Sequence, residues 1–370
     1  MLNNLQALRA VAALLVVLVH VGAITHLGVG TLFAFGHSGV DLFFVISGFV
    51  MVYTFARRPL SPGGFLLNRI IRVVPLYWAF TIALFVVTFA TGYPLMQSTR
   101  PTTVEFIQSL AFIPFRKADG VMQPLYFLGW TLNYEMMFYV LFTAAIAVGG
   151  GRVTRVVGVA LAAVVALAVA GWVFTPAVAW LSFYTGSIVL AFAVGMVVAL
   201  LSLRGIVLPR RIAGAALAIS AVALLIAPSL GFRLHSPWIG LVSGMAVAAA
   251  VALEQGGWRA RSPSALLLGA ASYALYLSHP FATALSDRVS AHVPPVFALP
   301  VALAISLLVA IALALAIHFA FERPVTAVLR KLVDHRRPVL DEAEDGVVHA
   351  LLHEDARQDA AAQGAAQIRG

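Results

Sequence analysis

The chain of 370 residues contains no cysteine, and only 11% of its residues are charged. Without thiols it can form no disulfide and offers no thiolate nucleophile or thiolate metal ligand. Soluble domains carry roughly 25% charged and about 45–50% apolar residues. With 61% hydrophobic residues and a mean hydropathy of +0.96, this composition excludes an ordinary soluble domain. It predicts an all-α polytopic membrane protein.

Long apolar runs divide the chain into predicted helical spans. We expect about ten transmembrane helices in a single bundle over residues 1–332, with no separate signal peptide and no fused soluble domain. The acid-rich segment 333–370 is predicted to be a disordered cytoplasmic tail. The predicted spans are 5–24, 39–56, 73–91, 127–148, 154–173, 183–203, 212–230, 236–254, 264–284 and 297–320.

Two connections between spans are longer than the rest. Residues 57–72 are predicted to be a basic loop whose second half forms a short amphipathic helix. Residues 92–126 form the main loop on the other side, where prolines interrupt any long helix. The Ala/Val/Leu-rich spans between 154 and 254 contain almost no ionisable residue and are interpreted as scaffold.

The distribution of positive charge is more informative than its total of +9. Of the 23 Lys and Arg outside the first span, 18 fall on the N-terminal side of the predicted spans. By the positive-inside rule both termini are then cytoplasmic, and the charge indicates topology rather than nucleic-acid binding. Lysine occurs only at Lys117 and Lys331, a bias towards arginine that suggests a GC-rich bacterial genome. The predicted location is therefore the bacterial inner (cytoplasmic) membrane.

Two ionisable side chains interrupt the first apolar segment, LQALRAVAALLVVLVH. Arg9 and His20 are eleven residues apart, which places them within roughly 20° on one helix face and about 16 Å apart along the axis. Titratable groups inside a membrane helix are costly and generally face a protein interior or a functional site. The first helix is therefore predicted to carry a cation near one surface and a proton-transfer group deeper in the bundle.

Two carboxylates are predicted to be buried in the same half of the bilayer as His20. Of the seven acids before the tail, only Asp41 and Glu135 fall within or at the mouth of apolar spans where burial is expected. A carboxylate beside a histidine fixes its tautomer and suits it to act as a general base. The alternative is that Asp41 caps a helix or forms a structural pair, and that His20 is a satisfied interior histidine.

Arg69 and Arg72 lie three residues apart on one helical face, immediately before the third span. Such a pair can hold phosphate through charge-assisted bonds, although ordinary positive-inside anchoring also explains it. His279, followed by Pro280, is a weaker site candidate than His20. Glu322 is expected to pair with its neighbour Arg323. The histidine spacing gives no support to a metal site.

Six strings, in order, resemble the signature blocks of the membrane-bound acyltransferase family 3. The combination of the second and fourth strings is most similar to the exopolysaccharide and O-antigen O-acetyltransferase branch. The strings are LQALRAVAALLVVLVH, GVDLFFVISGFVM, NRIIRVVPLYW, GWTLNYEMMFY, SYALYLSHP and FERP.

The resemblance implies an O-acetyltransferase with acetyl-CoA as acyl donor and no metal. Its partners would be the lipid bilayer, acyl-CoA and a polysaccharide or lipid-linked glycan acceptor. His20, Asp41 and Glu135 fall on the family's catalytic positions, and Arg9, Arg69 and Arg72 on its donor-binding positions.

The sequence hypothesis is that acetyl-CoA docks near the arginines and that His20 acts as general base or transient acyl carrier. Asp41 or Glu135 would orient His20. The competing reading is a secondary transporter or flippase of a glycan precursor, which buried charges in many spans would also fit.

Overall fold

The computed structural model describes residues 2–92, 101–174, 176 and 178–334. These residues form helices joined by loops, and they fall into two units whose boundary lies between Pro324 and Val325. The predicted tail lies outside the described residues from position 335 onward. The α-helices of the described part, α1 to α14, are Asn3–Gly22, Ser38–Arg57, Pro62–Thr91, Thr103–Leu110, Gly129–Gly149, Val153–Val173, Ala179–Tyr184, Leu190–Leu203, Arg210–Ile226, Pro237–Gln255, Pro263–Ala270, Ser272–Ser290, Pro295–Ile317 and Arg323–Asp334.

The predicted class, an all-helical multi-pass membrane protein, is confirmed, but the count of ten spans is not. Within the described ranges, seven helical stretches are long and apolar enough to cross a membrane. The apolar stretch Ser187–Leu203 is shorter. The seven are Asn3–Gly22, Ala34–Arg57, Pro62–Thr91, Gly129–Gly149, Val153–Val173, Pro237–Gln255 and Pro295–Val333.

The third span is longer than predicted. Helix α3 runs without a break from Pro62 to Thr91, so the segment expected to be a separate amphipathic helix is its first part. Ser61 caps α3 by accepting a hydrogen bond from the Gly64 N–H at 3.2 Å. Pro75 lies inside the helix and removes only one backbone hydrogen bond, which does not end it here. Arg69 and Arg72 therefore belong to the same rigid element as the span that follows them.

The ninth predicted span is instead two helices, α11 and α12, which meet at Ala271. Gly269, just before the break, lies against α1. A Cβ atom at Gly269 would come within 2.0 Å of the Gln6 carbonyl oxygen. This close approach requires glycine, a poor helix former, beside the break.

Helix α1 lies against α2, α10, α11, α12 and α13. Gly39 permits the close approach of α2, since a Cβ there would lie 2.4 Å from the Ala12 carbonyl oxygen. The predicted ionisable residues of α1 thus face protein on several sides.

The first turn of α1 is held by a buried carboxylate from α10. The backbone N–H groups of Asn3 and Asn4 donate to the Glu254 carboxylate oxygens at 3.0 and 2.7 Å. The Asn4 side chain donates to the carbonyls of Ala250 and Trp258. The expectation that only Asp41 and Glu135 among the acids would be buried is therefore wrong, because Glu254 is only 7% exposed. Its burial is compensated by the unsatisfied N–H groups at a helix start.

The described part of the predicted loop 92–126 includes helix α4. Thr102 and Glu105 form a capping box at its start, with reciprocal backbone hydrogen bonds of 3.2 and 2.7 Å. The Tyr77 hydroxyl donates to the Ser109 carbonyl at 3.2 Å and so ties α4 to α3. Burial lowers the pKa of Lys117 in this loop, while Asp119 and Glu105 oppose the shift. Residues 93–100 lie outside the described residues.

Candidate active site

A cavity among α1, α2, α3, α5 and α12 brings together four of the six predicted site residues. Arg9, Arg69, Arg72 and Glu135 all line it. The cavity contains about 810 Å³ of empty space, a volume that includes the open solvent at its mouth. We call it the arginine cavity.

Arg69 is oriented by aromatic rings and a hydroxyl. Its guanidinium carbon lies 5.2 Å from the ring centroid of Phe65 and 5.9 Å from that of Tyr139. One terminal nitrogen donates to the Thr54 hydroxyl oxygen at 3.1 Å. These contacts hold a planar cation at the wall of the cavity.

Glu135 contacts residues of the arginine cavity. Its Oε1 atom accepts a hydrogen bond from the Tyr139 hydroxyl and another from Ser47 at 3.3 Å. Neither of these hydrogen bonds involves His20, which Glu135 was predicted to orient. The α-helical spacing of Glu135 and Tyr139, four residues apart, brings the two side chains together.

Arg9 lies deepest among the cavity arginines, with 7% of its surface exposed. Its guanidinium interacts electrostatically with Glu135 and Glu322 as opposite charges and with Arg72 as a like charge. It also donates to Gln6 Oε1 at 3.4 Å. A buried arginine with carboxylates nearby is the arrangement in which a charge is tolerated inside a membrane protein.

Glu322 does not show the predicted pairing with Arg323. Its carboxylate lies 2.7 Å from His318 Nδ1, within a short π-helical stretch, His318–Glu322. The four-residue spacing on one helical face places these side chains together, whereas adjacent residues point to different faces.

His20 lies outside the lining of the arginine cavity, next to a second histidine. Its ring centroid is 4.6 Å from that of His279, with the planes at 64°. Its Nδ1 atom lies 2.8 Å from the Val16 carbonyl oxygen. A carbonyl can only accept, so Nδ1 carries the proton and Nε2 is left as the basic nitrogen.

Asp41 is paired with a histidine other than His20. Its carboxylate Oδ2 lies 2.9 Å from His235 Nδ1, and its side chain is only 2% exposed. The prediction of an Asp41–His20 pair is therefore wrong in its partner. His235 comes from the loop between α9 and α10, in the region interpreted as scaffold.

Tyr276 connects the arginine cavity to the histidine pair. Its side chain lines the cavity, its ring centroid lies 6.1 Å from that of His279, and its carbonyl accepts from His279 Nδ1 at 2.7 Å. Its hydroxyl hydrogen bonds with Thr131 at 2.8 Å and donates to the Leu128 carbonyl at 3.1 Å. These bonds fix the tyrosine between the two clusters.

The arginine cavity offers cationic donors for an anionic ligand. The described residues contain no group of three or more His, Asp or Glu side chains placed to hold a metal ion. Sequence reasoning named His279, followed by Pro280, as a weaker candidate than His20. It missed His235, which no local pattern distinguishes from other loop histidines.

The fold and the site together define a multi-pass membrane protein with a basic, partly enclosed cavity and, next to it, a pair of histidines of which His279 is fully buried. The chain belongs to the acyltransferase 3 family, whose profile, described as "Acyltransferase domain", matches residues 2–317. It is accordingly an acyltransferase.

A curated relative supports the same conclusion. The exopolysaccharide production protein ExoZ of Rhizobium meliloti (strain 1021) is 34% identical over 252 residues, which cover 68% of this chain and 77% of the relative. No solved structure matches the chain significantly.

Proposed function

We propose that the protein transfers an acetyl group from cytoplasmic acetyl-CoA to a hydroxyl of a cell-surface or exported glycan. The observation that carries the proposal is the arginine cavity, in which Arg9, Arg69 and Arg72 line one open space. The alternative function considered from the sequence, a transporter or flippase, does not fit a chain that belongs to an acyltransferase family.

Phosphate groups of the donor would be held by Arg69 and Arg72. Both side chains extend from α3 to line the arginine cavity, three residues apart, so two cations can share the negative charge. Arg9, deeper on α1, would bind donor groups that pass further into the bundle. Glu135 would limit the repulsion among the three cations.

His20 would act as the general base. Its Nε2 atom removes the proton of the acceptor hydroxyl as the oxygen attacks the thioester carbonyl carbon. The carbon–sulfur bond then breaks, and the leaving thiolate takes the proton back from Nε2. The Val16 carbonyl, which holds Nδ1–H, performs the orienting role first expected of Asp41 or Glu135. Those two carboxylates would support transfer from a distance, Asp41 through His235 and Glu135 through the arginines.

The acceptor is inferred from the relative. Because ExoZ is named for exopolysaccharide production, an exopolysaccharide or its lipid-linked precursor is the proposed acceptor. We also propose that both termini lie in the cytoplasm and that the chain spans the inner membrane about ten times, consistent with the basic loops on one side. Transfer is either direct or completed by a separate partner.

Membranes containing the protein test the proposal with radiolabelled acetyl-CoA and exported polysaccharide. We expect label in glycan with the wild type and none with His20→Ala at equal membrane levels. His292→Ala is the matched control, because His292 is an exposed loop histidine. Label retained in His20→Ala would overturn the role of His20, and no label with any variant across several acceptors would contradict acetyl transfer from acetyl-CoA.

A further inference from the structure

His279 has an unusual hydrogen-bonding environment caused by the residue that follows it. Pro280 lies inside α12 and has no backbone N–H, so the Tyr276 carbonyl receives no hydrogen bond from residue 280. The His279 side chain occupies that place, with Nδ1 at 2.7 Å from the Tyr276 oxygen and 3.3 Å from the Leu275 oxygen. The sequence His-Pro thus fixes the tautomer, because Nδ1 must carry the proton.

The other nitrogen of His279 is a buried acceptor. The side chain is 0% exposed, and Nε2 has no hydrogen-bond partner among the described residues. Buried polar atoms are nearly always satisfied, and one that is not calls for a functional explanation. Here the nearest ionisable ring is that of His20, 4.6 Å away between centroids.

The two histidines share the same tautomer. In each ring Nδ1–H donates to a backbone carbonyl, Val16 for His20 and Tyr276 for His279. Both Nε2 atoms are therefore bases while the rings are neutral, and neither can donate to the other. Once one Nε2 is protonated it becomes a donor, and the second Nε2, on a ring whose centroid lies 4.6 Å away, is able to accept.

Other titratable groups around His279 are aromatic hydroxyls. Tyr126, from the segment before α5, donates to the Leu277 carbonyl, and Tyr276 lies on the same helix. Tyr77 of α3 bonds to the backbone of α4. Helix α13, which packs along α12, contains no ionisable residue between Pro295 and Ile317. The carboxylate of α12 itself, Asp287, lies eight residues further along the helix and pairs with His26 at 3.1 Å. None of these neighbours therefore offers a carboxylate to take the proton in place of His279.

We propose that His279 is a positioning residue of the acyl transfer, acting through His20 by accepting a hydrogen bond from its protonated Nε2. The inference rests on the proposed function, in which His20 takes the hydroxyl proton. The proton leaves the acceptor oxygen, resides on His20 Nε2 with His279 Nε2 as its hydrogen-bond acceptor, and passes to the departing thiolate. The pair thereby stabilises the imidazolium where no carboxylate reaches His20.

Two substitutions of similar size separate this role from a structural one. In His279→Asn, the side-chain amide can still donate to the Tyr276 carbonyl, but the acceptor at the Nε2 position is lost. In His279→Gln, the longer side chain places its carbonyl oxygen near the former Nε2. Ser278→Ala, at a neighbouring buried position, is the control for disturbance of α12.

The measurement is kcat and KM for acetyl-CoA in membranes with matched protein levels. We expect kcat of His279→Asn to fall by about tenfold, less than the roughly 10²–10⁴-fold effect of a general base itself, with KM unchanged because the arginine cavity is not altered. His279→Gln should recover part of the loss, and Ser278→Ala should resemble the wild type.

The opposite order, with His279→Asn active and His279→Gln impaired, would show that His279 only supports the backbone and would overturn the inference. Binding of acetyl-CoA to each purified variant confirms that it is folded. A His20→Ala protein that remains active defeats the proposed function itself. If His20→Ala is inactive and His279→Asn is fully active, only the positioning role of His279 is contradicted.

Discussion

At the residue scale, the arginines of α3 determine how an anionic donor would bind. Arg69 and Arg72 line the arginine cavity, whereas Arg58 lies exposed in the preceding loop with the same charge. Replacing either cavity arginine by Gln should raise KM for acetyl-CoA about tenfold or more, because a hydrogen bond to a charged group contributes about 1.5–3 kcal/mol. Initial-rate kinetics in membranes measure the effect.

Arg58→Gln is the matched control for that experiment, and its KM should remain near the wild-type value. If all three variants raise KM equally, the effect is general surface charge and not the cavity. If none does, the donor phosphates bind elsewhere.

Single residues with unusual chemistry could be identified from the sequence, but their partners could not. Arg9, Arg69, Arg72 and Glu135 were each predicted as site residues, and they share one cavity. The partner of Asp41 was unpredictable because it lies 194 residues away.

The backbone conformation of His235 also could not be predicted from the sequence. His235 adopts a positive φ of 55°, a conformation that non-glycine residues rarely adopt and that no local motif announced. Its bond to the buried Asp41 helps to hold the loop in this conformation.

At the scale of single helices, the anchoring of α1 governs the position of both Arg9 and His20. Glu254→Ala would remove the acceptor of two backbone N–H groups, each of which is left without its partner. Loss of a helix cap costs about 1 kcal/mol. We expect a lower melting temperature for the detergent-solubilised protein and reduced acyl transfer, measured by thermal unfolding and by the labelling assay.

Glu254→Gln provides the comparison, since its amide oxygen can still accept from one of the two N–H groups. It should fall between the wild type and Glu254→Ala. Equal stability of all three proteins would contradict the anchoring role of this carboxylate.

The helical segments were easier to predict from the sequence than the residues at which they begin and end. Long apolar runs located helical segments, since burial in lipid requires the backbone to satisfy its own hydrogen bonds. The sequence did not predict that α3 would continue through its basic first turns, or that α11 and α12 would separate at Ala271. Both outcomes depend on packing against other helices, which a local pattern does not contain.

At the scale of the whole molecule, the surface of the helices is as informative as the interior. Large apolar side chains such as Val169, Trp172, Ile219, Val222 and Leu308 are exposed on α6, α9 and α13. Such a surface would be unfavourable in water and is expected where helices face lipid. The ionisable side chains of the arginine cavity lie instead among packed helices, as the cost of charge in a bilayer requires.

The proposed orientation of the chain can be tested because it contains no cysteine of its own. Gly63, at the start of α3, is exposed with open space around it, and Ala118 is exposed in the loop after α4. If the basic loops are cytoplasmic, a cysteine at Gly63 should react with a membrane-impermeant maleimide only after the membrane is opened. A cysteine at Ala118 should react in intact spheroplasts.

The unsubstituted protein is the control and should remain unlabelled under both conditions. The reverse pattern would place the arginine cavity and its basic loop on the outer side, away from cytoplasmic acetyl-CoA, and would contradict both the topology and the proposed donor. Labelling of both positions in intact spheroplasts would mean that the two loops lie on one side. Among the described helices of spanning length, α3 alone lies between residues 63 and 118, which predicts an odd number of crossings between them. That prediction would then be wrong.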